Sequence, residues 1–205
     1  MLEILILLTL LITIFSACVA DPKVPHDASA MWIEDSLIQL TTDNASHTIG
    51  YKFNITIWTN VSFTSGAWQF RLHYDKALLN ATGCWYTRPD LGKSDFFSNL
   101  TVTMPVDPSF GAYNATHDYL LFAESWLMGP KRNPGWGSLA WVEFKVLAVP
   151  PPGGQLQTLL DISSDYPSYT FVMKEDRTKP ALNIYDCQYI FTSGAAPPTM
   201  HTLTI

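Results

Sequence analysis

The sequence predicts an all-β protein, two antiparallel sheets packed face to face in a sandwich of about nine strands. Three observations predict it. Apolar residues recur at every second position, the period of a strand with one wet face. No stretch after the first 20 residues carries a helical stripe. Turn formers such as Ser65-Gly66, Asn133-Pro134-Gly135, the Pro150–Gly154 run and Lys179-Pro180 punctuate the alternating segments.

In chain order, Leu37–Thr41 is a short strand. Tyr51–Thr59 is the clearest one: Tyr51, Phe53, Ile55 and Ile57 fall on one face, and Lys52, Asn54, Thr56 and Trp58 on the other. In Ala67–Tyr74, Trp68, Phe70, Leu72 and Tyr74 face inward, leaving Gln69, Arg71 and His73 outward. Thr101–Met104 and Tyr119–Ala123 are shorter candidates. Ser138–Ala148 turns Ala140, Val142, Phe144 and Val146 inward, with Trp141, Glu143 and Lys145 outward. Leu156–Ile162, Tyr169–Met173 and Asp186–Thr192 complete the set.

Six of the eight asparagines, Asn44, Asn54, Asn60, Asn80, Asn99 and Asn114, stand in Asn-x-Ser/Thr triplets, where chance gives roughly one or two. Such triplets are N-glycosylation acceptors in chains that cross a membrane, and a glycan needs a wet side chain. Asn54 lies on the polar face of its strand, so periodicity and glycosylation agree on the outside. The N-terminus points the same way. Ile4 to Ala20 is apolar over about 17 residues, the scale of a secretory signal with its cleavage region. Small residues precede Asp21, so cleavage is expected after Ala20, an uncleaved anchor being the alternative; a weak lipoprotein-like box ends at Cys18. The expected organisation is a signal over 1–20, a lead-in over 21–36, a sandwich over 37–192, and a linker or tail over 193–205.

Residues 1–20 contain one charge, Glu3, so the net charge of −6 becomes −5 for the remainder. Mild acidity without a Lys/Arg cluster excludes a nucleic-acid binder. Cys84 and Cys187 remain after cleavage. They form either one disulfide closing a loop of about 100 residues, worth up to about 4–5 kcal/mol, or two separate buried thiols.

The block Tyr51-Lys-Phe-Asn-Ile-Thr-Ile-Trp-Thr-Asn-Val61, followed by Ala67-Trp-Gln-Phe-Arg-Leu-His-Tyr-Asp75 and Leu78-Leu79, resembles the cohesin family. Gly137-Ser-Leu-Ala-Trp-Val-Glu-Phe-Lys-Val146 resembles that family's Gly-x-Leu-Ala-x-x-x-Phe-x-Val strand, and Asp95-Phe96-Phe97 stands where cohesins often have an aromatic pair. The likeness runs from about Ile38 to Ile162 and fades after Asp165. It implies a nine-stranded jelly-roll-like sandwich related to cellulose-binding modules, in prokaryotic and archaeal secreted or cell-surface proteins. It also implies docking of a partner's dockerin on one sheet face.

The binding candidates are the outward Gln69, Arg71 and His73 and the outward tryptophans Trp58 and Trp141, since exposed rings stack on sugars or bury in partners. Packing beneath loops is the bland reading of the tryptophans, and glycans at Asn54 and Asn60 would crowd Trp58. Tyr74-Asp75 completes the core stripe and opens a turn. The histidines stand at no metal-ligand spacing. Ser125 lies in no Gly-x-Ser-x-Gly turn, and no acid pair is placed for glycoside hydrolysis. No cofactor is indicated; calcium around Asp161, Asp165 or Asp186 is an open option without a ligand loop of known spacing.

The expected function is a non-catalytic extracellular recognition module. It would bind a dockerin-type protein or a polysaccharide, in a cell-surface or polysaccharide-degrading assembly. The alternatives are a carbohydrate-binding module proper and a structural surface-layer or adhesion domain. Membrane contact is expected only through an uncleaved N-terminal segment or a missing C-terminal part.

Overall fold

The computed structural model describes residues 29–99, 102–129 and 131–194. The expected signal, the first half of the lead-in and the tail beyond Gly194 lie outside the described residues, as does Cys18.

The described residues contain thirteen strands. These are β1 (Ala30–Ile33), β2 (Leu37–Thr41), β3 (Lys52–Val61), β4 (Ser65–Asp75) and β5 (Leu79–Tyr86). Then come β6 (Val102–Pro105), β7 (Ser109–Ala112), β8 (His117–Met128) and β9 (Gly135–Val146). The last four are β10 (Gln155–Leu160), β11 (Phe171–Lys174), β12 (Asn183–Tyr185) and β13 (Cys187–Thr192). The nine expected strands are all present, and β1, β5, β7 and β12 are additional. Three of these break the alternation: β1 is buried at every position, β7 is mostly exposed, and β5 is bulged between Ala81 and Gly83.

One layer is a five-stranded sheet in the order β12-β1-β3-β9-β5, here the β3 sheet. The other contains the β4 sheet, β11-β4-β8-β6 with β7 also on β8, and a three-stranded sheet β10-β13-β2. A bridge between His73 and Asp161 ties β4 to the end of β10. Most pairs are antiparallel, as expected, but β1 with β12 and β2 with β13 run parallel. The beginning of the body thus zips alongside its end.

The interior is one apolar cluster. Ile55, Phe70, Leu72, Val142 and Phe144 share it with Tyr74, Phe122, Tyr189 and Phe191, and Phe53 packs on its border. Aromatic rings carry much of the packing: Phe53 lies 5.7 Å from Phe144, and Tyr74 meets Phe144 edge-on at 5.2 Å. A fully buried ring of this kind stabilises by about 1.5–3 kcal/mol relative to exposure.

Two expectations are corrected. Residues 30–33 belong to the sandwich, with Met31 and Ile33 in the core, so the body starts ahead of residue 37. Ser193 and Gly194 are fastened to it as well, Ser193 N–H donating to Gly154 O and Gly194 N–H to Thr42 Oγ1. The cysteines take the second of their two options, free and buried. Cys84 sits opposite Val142 in the β3 sheet, and Cys187 opposite Leu160 in the other layer. Burial pushes both thiols up, Cys187 to about 12.

Candidate functional site

The strand period that fills the core also aims the candidate side chains away from it, and it sends them to opposite faces. Trp58 and Trp141 lie half-buried outside the β3 sheet, whereas Gln69, Arg71 and His73 belong to β4 in the other layer. No single site joins the five.

Outside the β3 sheet the rings form two groups. Trp58 stacks on Trp32 with centroids 6.5 Å apart and contacts Trp136 at 5.5 Å. Trp85 meets Trp141 edge-on at 6.5 Å, the two being direct partners between β5 and β9. Trp85 and Trp136, which fall in loops by sequence, are strand residues. The same surface bears Asn54 and Asn60 on β3 and Asn80 on β5. Lys52 and Glu143, 2.8 Å apart, form an ion pair on it.

On β4 the three polar residues are occupied by the chain itself. Gln69 Nε2 donates to Tyr169 O at 3.0 Å, and Arg71 N–H donates to Thr170 Oγ1 at 3.2 Å. The Arg71 guanidinium lies 3.5 Å from the Tyr169 ring centroid, 5.0 Å from that of Tyr119, and 3.1 Å from Asp165. His73 is buried, with Nε2 2.8 Å from Asp165 Oδ2 and Nδ1 3.8 Å from Asp161 Oδ2, and Tyr113 stacks on its ring at 3.9 Å. Burial alone would raise the Asp161 carboxyl, but bonds from His73, Ser164 and Ser163 outweigh it and hold the group well below the usual carboxylate range. These residues therefore fasten the 161–170 segment to β4. What stays partly open around them is the half-buried Leu121 and Ala123 of β8, Phe171 and Met173 of β11, and the exposed Tyr169.

A second polar cluster lies inside the sandwich, where the sequence shows only an acid at an inward position of β8. Glu124 is buried, and its Oε2 accepts from Trp68 Nε1 at 3.1 Å, Ser94 N–H at 3.0 Å and Ser94 Oγ at 2.5 Å. Burial pushes its carboxyl up, and the Ser94 and Trp68 donors partly oppose this. The cluster pins residues 94–97 over β9, where Phe96 N–H donates to Ser138 O at 3.0 Å. Gly137 permits that approach, because a Cβ there would fall 2.8 Å from Phe96 Cα. Phe96 and Phe97 are both fully buried.

Among the described residues no cluster of three or more His, Cys, Asp or Glu side chains is placed to hold a metal ion. Asp161 and Asp186 spend their oxygens on the 162–164 backbone and the Ser163 and Ser164 hydroxyls. A cleft beside His73 is lined by Tyr113, Asn114, His117, Leu159 and Asp161.

This is the architecture of a β-sandwich. No family model matches the chain, and no curated protein matches it. Solved structures do. The third ScaC cohesin of Acetivibrio cellulolyticus, solved in complex with the ScaB dockerin, superimposes with a TM-score of 0.50 at 15% identity, over 80% of this chain and 99% of that one. A non-cellulosomal cohesin from the archaeon Archaeoglobus fulgidus gives 0.49 at 11% identity over 81% and 92%. A type III cohesin from the ScaE cell-surface anchoring scaffoldin of Ruminococcus flavefaciens gives 0.49 at 13% over 88% and 93%. In fold, the chain is a cohesin-like domain.

Proposed function

We propose that this chain is a non-catalytic extracellular recognition module that docks a protein partner of the dockerin type on the outer face of the β4 sheet. One observation carries the choice of face. The β4, β6, β7, β8 and β11 strands bear no acceptor asparagine, and their outside offers Leu121, Ala123, Phe171 and Met173 around the Arg71–Tyr169 stack. The outside of the β3 sheet carries three acceptors. Half-buried apolar side chains ringed by Arg and Tyr are what a protein interface centre uses, whereas attached glycans would obstruct one. A dockerin complex of a structure with the same fold adds to this reading, and membership in a polysaccharide-degrading assembly would follow from the partner's identity.

The test immobilises residues 21–205 and the Leu121→Asp variant against secreted proteins of the source organism, then measures affinity with the purified partner. Retention on insoluble polysaccharides is measured in parallel. The expected result is one protein partner bound by the wild type and weakened about 30-fold or more by Leu121→Asp, the scale of a hot-spot loss. Binding to polysaccharide without any protein partner, or protein binding indifferent to Leu121→Asp, overturns the proposal.

A further inference from the structure

We infer that the glycan attached to Asn60 lies on the indole rings of Trp58 and Trp136, so that the chain's own sugar covers the exposed end of this tryptophan group outside the β3 sheet. The inference rests on the extracellular reading above, since it needs the acceptor triplets to be used.

The geometry sets Asn60 apart from the other five acceptors. Trp58 is two residues earlier on the same strand, and strand pleating puts positions i and i+2 on one face, about 7 Å apart. Trp136 is the residue directly across from Asn60 on β9. Directly opposed side chains have Cβ atoms about 4.5–5.5 Å apart. The first sugar on Asn60 therefore starts beside two indoles that contact each other at 5.5 Å. Trp136 is 48% exposed.

The chemistry fits a pyranose. One face of such a ring presents axial C–H groups that pack on an aromatic π-face, while its hydroxyls stay in water. A tethered sugar has lost most of its freedom to diffuse, so even a weak stacking contact is well populated.

The neighbouring acceptors lack this arrangement. Asn54 faces Glu143 across the sheet, and Asn80 faces Lys145. Asn44 and Asn114 lie outside the strands, between β2 and β3 and between β7 and β8. Asn99 follows Phe97 by two residues, but that ring is fully buried. Trp58 and Trp136 are then a seat for a covalent glycan, and a free polysaccharide would have to displace it.

The experiment uses residues 21–205 secreted from a glycosylating host, with site occupancy read by mass spectrometry. Thermal stability is compared for wild type, Asn60→Gln, Trp136→Ala and the double variant. The same four proteins made without glycosylation report any effect of the substitutions themselves. Stacking predicts that Asn60→Gln lowers the glycoprotein's Tm by about 2–4 °C and that this loss disappears in the Trp136→Ala background. In the unglycosylated set the two changes add. Asn54→Gln with Trp136→Ala, the control pair, is additive in both sets. Additive Asn60 and Trp136 effects in the glycoprotein overturn the inference, as does an Asn60 without sugar where other acceptors carry it. A secreted protein with no sugar at any acceptor overturns both this inference and the glycoprotein part of the reading beneath it.

Discussion

Replacing Ser94 by alanine should destabilise the protein by an amount that grows as pH rises. The hydroxyl donates to Glu124 Oε2 at 2.5 Å and accepts from Trp68 Nε1 at 3.2 Å and Phe97 N–H at 3.2 Å, all in the buried interior. Its loss leaves both donors a second acceptor, because Trp68 Nε1 still reaches Glu124 and Phe97 N–H still reaches Ser94 O. The carboxyl loses outright one of the donors that hold it ionised. A hydrogen bond to a charged group is worth about 1.5–3 kcal/mol and a neutral one about 1 kcal/mol. The cost should therefore be about 2–3 kcal/mol with Glu124 ionised and about 1 kcal/mol with it protonated. The sign follows from the direction of the shift. Burial places the folded-state pKa of Glu124 above its unfolded value of about 4.3, so its stabilising contribution is complete below that pH and is lost as pH rises through the folded value. Without Ser94 the folded value lies higher still, and the loss runs further. Urea unfolding of both proteins from pH 4 to pH 8 measures the difference, with titrations common to both cancelling. A gap that widens with pH supports the reasoning. A gap that is constant, or that narrows with pH, refutes it.

Three further outcomes follow from the packing. Arg71→Ala should cost about 3 kcal/mol in urea unfolding, because it leaves Asp165 in a largely buried setting without its guanidinium partner. Arg71→Ala with Asp165→Ala should cost less than the sum of the singles; additivity would mean the pair is uncoupled. Phe144→Ala, which empties space against Phe53 and Tyr74, should cost about 3–5 kcal/mol, and a loss under 1 kcal/mol would contradict its place in the core. Residues 21–205 should show no thiol reactive to a soluble disulfide reagent when folded and two when unfolded without reductant; none on unfolding would mean that Cys84 and Cys187 are bonded.

The central strands were legible because each has one wet face. Lys52, Asn54 and Thr56 against Phe53, Ile55 and Ile57 leave no other period; in the structure Lys52 and Asn54 are exposed, while Thr56 is buried. Periodicity fails where that condition fails. Ala30-Met-Trp-Ile is buried on both faces, so β1 shows no alternation, although Trp32 sits on the outside of its sheet beneath Trp58. A bulge after Ile57 and the glycines at 83, 135 and 137 break the pattern where Trp85 and Trp136 enter strands. The His73, Asp161 and Asp165 contacts join positions some 90 residues apart, and nothing local in either segment announces them. Outward position alone nominated Gln69, Arg71 and His73; what it could not show is that the 161–170 segment folds back to engage them. Glu124 had a usable signal, a carboxylate in line with Leu120 and Phe122 on the inward side of β8. An acid there needs buried donors, and Ser94 and Trp68 supply them.

The placement of recognition on one sheet and sugar on the other is tested most directly by hydroxyl-radical footprinting of the secreted protein, alone and bound to its partner. The account predicts that Leu121, Phe171 and Met173 become protected in the complex while Trp85 and Trp141 oxidise at unchanged rates. Protection of Trp85 and Trp141 with Leu121 and Met173 unchanged would contradict it.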